Sequence, residues 1–141
     1  MTKTIDPGTP VGARTLERLD AEKIGWLTTT NPDGQPQSSP IWFLWVDGEV
    51  LIYSGKRAPR NGNVADRPLV AFNLNTDPAG GDVVTMEGEA RVDLTYVPAD
   101  QHPAYLEKYQ GMLDGYGWTA AYFAAEYPIA ILIRPTRWRL G

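Results

Sequence analysis

Apolar positions along this chain follow first a helical and then a strand spacing. Ala13 to Glu22 carries Leu16 and Leu19 three apart among charged residues, the spacing of one short amphipathic helix. From Ile24 the pattern becomes that of strands. Ile24 to Thr30 reads as the first, and Asn31-Pro32-Asp33-Gly34 as a turn, because proline presets the first central position and Gly34 accepts a positive φ. This predicts a hairpin with Gln35 to Trp45. A second hairpin follows through Asp47-Gly48 into Glu49 to Ser54, the Asp-Gly pair being a favoured two-residue connection.

Beyond Ser54 the elements are shorter. Asn63 to Arg67 has room for only a short helix before Pro68, and Leu69 to Asn75 returns to strand. Asp82 to Thr95 predicts a long strand with Gly88 as a bulge or kink. Pro98 to Leu113 and Trp118 to Tyr127 predict two helices, and Ile129 to Ile133 a buried closing strand. About six strands joined by tight turns favour an antiparallel meander that closes into a barrel, since an open sheet would leave exposed edges. The lead from Met1 to Gly12 is interrupted by Pro7, Gly8, Pro10 and Gly12. The expected organisation is a flexible lead, 1–12, and one domain, 13–141.

Composition narrows the chemistry. A chain of 141 residues fits one domain that buries roughly two thirds of its unfolded surface. There is no cysteine, which excludes disulfides, thiolate metal sites and cysteine nucleophiles. No apolar run is long enough to span a membrane, and the N-terminus lacks a signal-peptide core, so a cytoplasmic location is expected. The net charge of -4 argues against nucleic acid as a partner. Against this acidic background Lys56, Arg57 and Arg60 stand out, interleaved with Gly55, Pro59, Asn61, Gly62 and Asn63 between a strand and a helix start. That pattern resembles an anion cradle, in which backbone N–H groups and fixed cations meet a phosphate.

Other conspicuous residues have plainer readings. Trp42 and Trp45, three apart in a strand, face opposite sides, so one at most adjoins a ligand while the other packs in the core or at a dimer interface. His102, before Pro103 at a helix start, reads as a surface or capping residue, and Lys108 as an outward helix residue with no part in binding. Asp77, Asp82 and Glu87 are dispersed with no histidine beside them, so no metal site is assigned. Tyr105, Tyr109, Tyr116, Tyr122 and Tyr127 read as packing residues, with space for a substrate pocket beneath their helices. No side chain presents itself as an obligate acid or base, and no catalytic residue is assigned.

The order of these features carries a resemblance. The Asn-Pro-Asp-Gly turn, Ser39-Pro40-Ile41-Trp42-Phe43, the Asp-Gly turn, Tyr53-Ser54, then Arg60, Asn63-Val64 and Arg67-Pro68-Leu69-Val70-Ala71 resemble the pyridoxamine 5'-phosphate oxidase-like split-barrel flavoproteins from about Thr15 to Arg139. The nearest likeness within them is to the actinobacterial branch that uses the deazaflavin coenzyme F-420. The resemblance implies a mainly β fold, a six-stranded antiparallel split β-barrel with short peripheral helices, and a homodimer with cofactor sites at the subunit interface. The family's phosphate-binding Ser-Arg-Lys triplet falls on Ala58-Pro59-Arg60, so only its last cation survives. Lys56 and Arg57 supply charge nearby, which suits a cofactor with several anionic groups, F-420 rather than FMN. Ser39, Pro40, Ile41 and Trp42 match the strand beside the flavin-like ring, Ser54 a hydroxyl at the site, Asn63 a position on the following helix, and Trp138 the C-terminal aromatic near the cofactor. The implied activity is hydride transfer from reduced F-420 to an activated double bond or conjugated carbonyl of a small organic substrate, with solvent, Ser54 or a tyrosine supplying the proton. The alternatives are an FMN-dependent oxidase or reductase and a non-catalytic protein that binds a flavin or haem-like ligand.

Overall fold

The computed structural model describes residues 2–141, so Met1, the first residue of the predicted lead, lies outside the described residues. Seven strands form one antiparallel sheet: β1 (Ile24–Thr30), β2 (Pro36–Trp42), β3 (Leu44–Val46), β4 (Glu49–Ser54), β5 (Leu69–Leu74), β6 (Val84–Val92) and β7 (Ile129–Leu140). Their order is β2-β1-β5-β6-β7-β4-β3. The helices are α1 (Pro10–Ala21), α2 (Pro59–Asp66), α3 (Pro103–Tyr116) and α4 (Ala120–Glu126), with a short 3-10 turn at Ala99–Gln101. The predicted fold class holds, with one strand more than expected.

The extra strand comes from a break at Phe43. Trp42 ends β2 on one edge of the sheet and Leu44 begins β3 on the other, although a single residue separates them. Consecutive Cα atoms are about 3.8 Å apart, so the sheet must curl until its edges meet. Phe43 leaves both ladders, and its backbone polar groups would be orphaned in the core. The Tyr109 hydroxyl accepts from Phe43 N–H at 2.8 Å and lies 2.8 Å from Phe43 O and 2.6 Å from Lys23 O, the two carbonyls to which its one proton can go. Phe43 itself is fully buried and meets Phe72 edge to face. Gly25 opposite has room for neither a methyl nor more, since a Cβ would lie 2.4 Å from the Phe72 ring.

Curling produces two apolar layers. Val50, Ile52, Ile131 and Ile133 point into the barrel with Leu27, Phe72 and Met86. Leu51, Tyr53, Ala130 and Leu132 point outward beneath Tyr105, Tyr109, Leu113 and Phe123 of α3 and α4. Strands covered on both faces lose their alternation, which is why 129–133 reads as an unbroken apolar run. The turn and bulge expectations are met. Gly34 has φ +88°, Asp47 and Gly48 both have positive φ, and the β6–β7 register shifts between Glu87 and Gly88.

Several boundaries move. α1 starts at Pro10, not Ala13, because Thr9 caps it by accepting from Gly12 N–H and proline at the first helical position gives up only an N–H that has no partner there. Part of the expected irregular lead is therefore helix, and Lys3 N–H donates to Pro135 O. α2 is longer than the predicted 63–67, and β7 runs on to Leu140 where the closing strand was expected to stop at Ile133. Lys108 is no idle surface residue. Its ammonium sits 3.8 Å from the Phe43 ring centroid and donates to Leu19 O at 3.2 Å, pinning α1 to α3.

Two outcomes follow from this junction. Tyr109→Phe removes the one partner that the Phe43 N–H has among the described residues, and leaving buried backbone groups unpaired costs about 1–3 kcal/mol, read as a lower urea midpoint at unchanged slope; an unmoved midpoint contradicts the role. Burial lowers the Lys108 pKa from 10.5 to about 8, with Lys23 acting in the same direction and Asp20 and Glu22 against it. The unfolded chain therefore holds this proton more tightly, and the stability Lys108 contributes rises with pH between about 8 and 10.5. Thermal melts should show Tm climbing from pH 8 to pH 10 in the wild type and a flatter profile in Lys108→Met; parallel profiles would place the titration elsewhere.

Candidate functional site

The edge strand β2 borders two recesses. Gln37 and Ser39 face a polar one completed by Thr29, Asn31 and Asn63. Pro40, Ile41 and Trp42 border an aromatic cavity of about 210 Å³, whose other walls are Ile52, Tyr53, Trp118, Phe123 and Tyr127. Arg60 lines both. By period-two alternation Gln37, Ser39 and Ile41 share one face of β2 and Pro40 and Trp42 the other, so the aromatic cavity draws on both faces at the strand's free edge, and α2, packed on β1 and β6, carries Arg60 to the gap between the two recesses.

Arg60 is the electrostatic centre of this arrangement. Its Nη1 donates to Ser54 Oγ at 3.2 Å, its only hydrogen bond, and among the described residues no carboxylate pairs with it. Burial pushes the guanidinium below its ordinary pKa, with Tyr127 acting in the opposite direction. An arginine remains charged regardless, so a half-buried cation is left uncompensated by the chain, and an anion supplied from outside would relieve it.

Lys56 and Arg57 lie one recess further on. They are exposed and open, with Gly55 and Ala58, onto a groove walled by Trp118, Tyr122, Glu126 and Tyr127. Trp118 and Tyr127 also line the aromatic cavity, so the two recesses adjoin. The expected backbone cradle is weaker than its side chains. Pro59 brings no N–H, the Asn61 N–H returns to Ala58 O at 3.1 Å, and Ala58 offers no capping hydroxyl. What this loop offers an anion is side-chain charge rather than helix-end donors.

The remaining sequence-assigned residues divide. Ser54 is fully buried and orients Arg60 without lining either recess. Asn63 borders the polar recess, but its amide is engaged within the chain: Nδ2 donates to Thr29 Oγ1 and Asn31 Oδ1, and Oδ1 accepts from Arg67. Trp138 is not brought to the recesses of its own chain. It packs edge to face on Trp45 and donates to Lys3 O at 3.1 Å. Trp42 and Trp45 do part to opposite faces, Trp42 stacking on Tyr109 and Phe123 at the cavity. His102 caps α3 through Nδ1, accepting from Tyr105 N–H, and burial lowers its pKa, which keeps the ring neutral for that bond. Tyr53, Trp118, Phe123 and Tyr127 were not assigned individually from sequence. For Trp118, Phe123 and Tyr127 the signal was the aromatic density in and around α4, which does not say which ring turns inward.

Residues 13–139 match the pyridoxamine 5'-phosphate oxidase family, and the chain belongs to it. No functionally curated protein matches the sequence. Among solved structures, an F-420 reductase shares 24% identity over 87% of this chain and 94% of its own, with a TM-score of 0.63. A conserved hypothetical protein of Mycobacterium tuberculosis shares 20% over 98% and 88%, with a TM-score of 0.69. The haem storage protein of Vibrio cholerae shares 13% over 94% and 95%, with a TM-score of 0.65. At these identities the likeness is one of fold. No helix among the described residues is long and apolar enough to cross a membrane.

Proposed function

We propose that this protein is an oxidoreductase that uses the reduced deazaflavin coenzyme F-420, of the actinobacterial kind, on a small conjugated substrate. The observation that carries the reading is the half-buried Arg60, without a carboxylate partner among the described residues, between a polar recess and an aromatic cavity that both border β2. The residues present fit such a group. Cations are spread over adjoining recesses, Arg60 in one and Lys56 with Arg57 in the next, which suits a cofactor bearing both a phosphate and carboxylates. FMN has one phosphate, and the Ser-Arg half of the usual triplet is replaced here by Ala58-Pro59.

In this reading Arg60, held by Ser54, would take the phosphate, Lys56 and Arg57 the more distal acidic groups, and Ser39 to Trp42 would flank the ring. When bound and reduced, the deazaflavin supplies a hydride to an activated double bond or conjugated carbonyl, and water supplies the proton that completes the reduction. The chain's own contribution is position and electrostatics. Ser54 is too deeply buried to protonate a substrate, and Tyr53 already donates to Val97 O at 2.6 Å. The aromatic walls offer flat apolar surface to a conjugated ring.

A homodimer belongs to the same proposal, supported by the open face of the sheet. Leu69 is 71% exposed there, beside Ala71 and the small residues Thr28, Thr30 and Thr136. Light scattering at micromolar concentration should return twice the chain mass of 15.6 kDa; a monomer contradicts the dimer.

Fluorescence titration with F-420 at low salt tests the site. Arg60→Ala should weaken binding by about one to two decades, the worth of one charge-assisted contact of roughly 1.5–3 kcal/mol. Lys56→Ala and Arg57→Ala, both exposed, should cost less, and salt should weaken the wild type more than Arg60→Ala. Equal affinity of wild type and Arg60→Ala, or retention of stoichiometric FMN through dialysis, would overturn the reading.

A further inference from the structure

The two helices over the outer apolar layer are fastened differently. α3 is held by polar bonds: the Tyr109 hydroxyl meets the backbone of Phe43 and Lys23, Lys108 donates to Leu19 O, and Lys23 donates to Lys108 O. α4 has no such bond. From Thr119 to Tyr127 every hydrogen bond among the described residues stays within the segment, and Glu126 pairs with no cation there. Phe123 is the one buried residue of the helix, its ring stacked on Trp42 at 5.5 Å and on Tyr127 at 4.7 Å. Trp118, Ala124 and Tyr127 are partly buried beside it. The segment is thus attached by apolar contact alone, centred on one ring.

Seven residues are too few for α4 to persist undocked, since isolated helices shorter than about 12 residues are marginal in water. Docking of Phe123 and order in the helix therefore come and go together, which makes the segment a two-state unit. Its ends suit such a motion. Gly117 holds the left-handed conformation at φ +72° with open space where a Cβ would lie, and at the other end Pro128 separates Tyr127 from β7. Position gives the motion a use. Trp118, Phe123 and Tyr127 wall the aromatic cavity, and Trp118, Tyr122, Glu126 and Tyr127 wall the cationic groove, so one segment closes both recesses. With Trp42 and Phe123 in ring contact, a flat ligand reaches that face of Trp42 only when Phe123 withdraws.

We infer that residues 118–127 form a lid that swings on Gly117 and Pro128, lifts when the Phe123 ring leaves Trp42, and closes over a flat ligand in the two recesses. That the ligand is F-420 rests on the reading above; the motion does not.

The chain has no cysteine, so one introduced thiol reports the opening. Ala99, 1% exposed in the 3-10 turn packed against α4, is the reporter position, and Val50, 0% exposed inside the barrel, is the control for global unfolding. The full chain is labelled with an aromatic disulfide reagent under native conditions. Ala99→Cys should react at least about a hundredfold faster than Val50→Cys, and at a rate nearly flat up to about 1 M urea where Val50→Cys rises steeply, because lifting a lid exposes little surface. Adding Phe123→Ala should speed Ala99→Cys labelling at least about tenfold, and Phe123→Leu by less. Saturating F-420 should slow it at least about tenfold, since a ligand held against Trp118 and Tyr127 favours the closed form. Equal rates and urea slopes for the two thiols, labelling indifferent to Phe123→Ala, or bound F-420 that leaves Ala99→Cys unprotected would overturn the lid. If F-420 does not bind and the labelling pattern of the protein alone holds, the deazaflavin reading falls and the lid stands. If F-420 binds and the two thiols label alike, only this inference falls.

Discussion

Everything in this molecule hangs on one residue's passage between two edges of a sheet. β2 and β3 are the outermost strands, and only Phe43 joins them. A flat seven-stranded sheet would hold them six strand spacings apart, roughly 28 Å at about 4.7 Å each. A single residue cannot bridge that distance, so the curl is imposed by covalent length. What remains is the polarity of Phe43's own backbone, which no ladder satisfies. Tyr109 answers it with one hydroxyl, and this explains why a tyrosine stands fully buried on α3 where a phenylalanine would pack as well.

The same passage shapes the site. β2 ends at Trp42 and pairs only with β1, so its other edge is free and borders both recesses. Trp42, one residue before the break, is clasped between Tyr109 and Phe123, so the anchor of the fold and the wall of the cavity share a ring stack. From the opposite side β4 ends at Ser54, and the following loop and α2 bring Arg60 back over that buried hydroxyl. Fold closure and charge placement thus use neighbouring positions on β2 and β4. A disturbance at Phe43 or Tyr109 is expected to reach the ligand surfaces through Trp42.

Most of the fold was legible because its signals are local. Proline and glycine at Asn31–Gly34, Asp47-Gly48 and Gly88 specify backbone conformations that little else tolerates. The extra strand was not legible: 35–45 passes from polar residues into an apolar run with no glycine or proline at Phe43 to mark a break, and the break depends on a hydroxyl 66 residues away. Lys108 misled for a similar reason, since a charged residue on a helix gives no sign that its ammonium lies over the Phe43 ring. At the site, cationic residues between glycine and proline announced an anion, but not that Lys56 and Arg57 open onto a different recess from Arg60. Asn63 and Ser54 were recognisable as site positions by resemblance. Only the hydrogen bonds reveal that they brace the site from behind.

In the proposed function the Arg60 guanidinium, without a carboxylate partner among the described residues, takes an anionic group of a flat cofactor. A crystal structure of the protein with oxidised F-420 tests it most directly. The account predicts phosphate oxygens within hydrogen-bond distance of Arg60, the distal carboxylates toward Lys56 and Arg57, and the ring against Ser39 to Trp42. A cofactor bound with its phosphate away from Arg60, or crystals that exclude F-420 while admitting FMN, would contradict it.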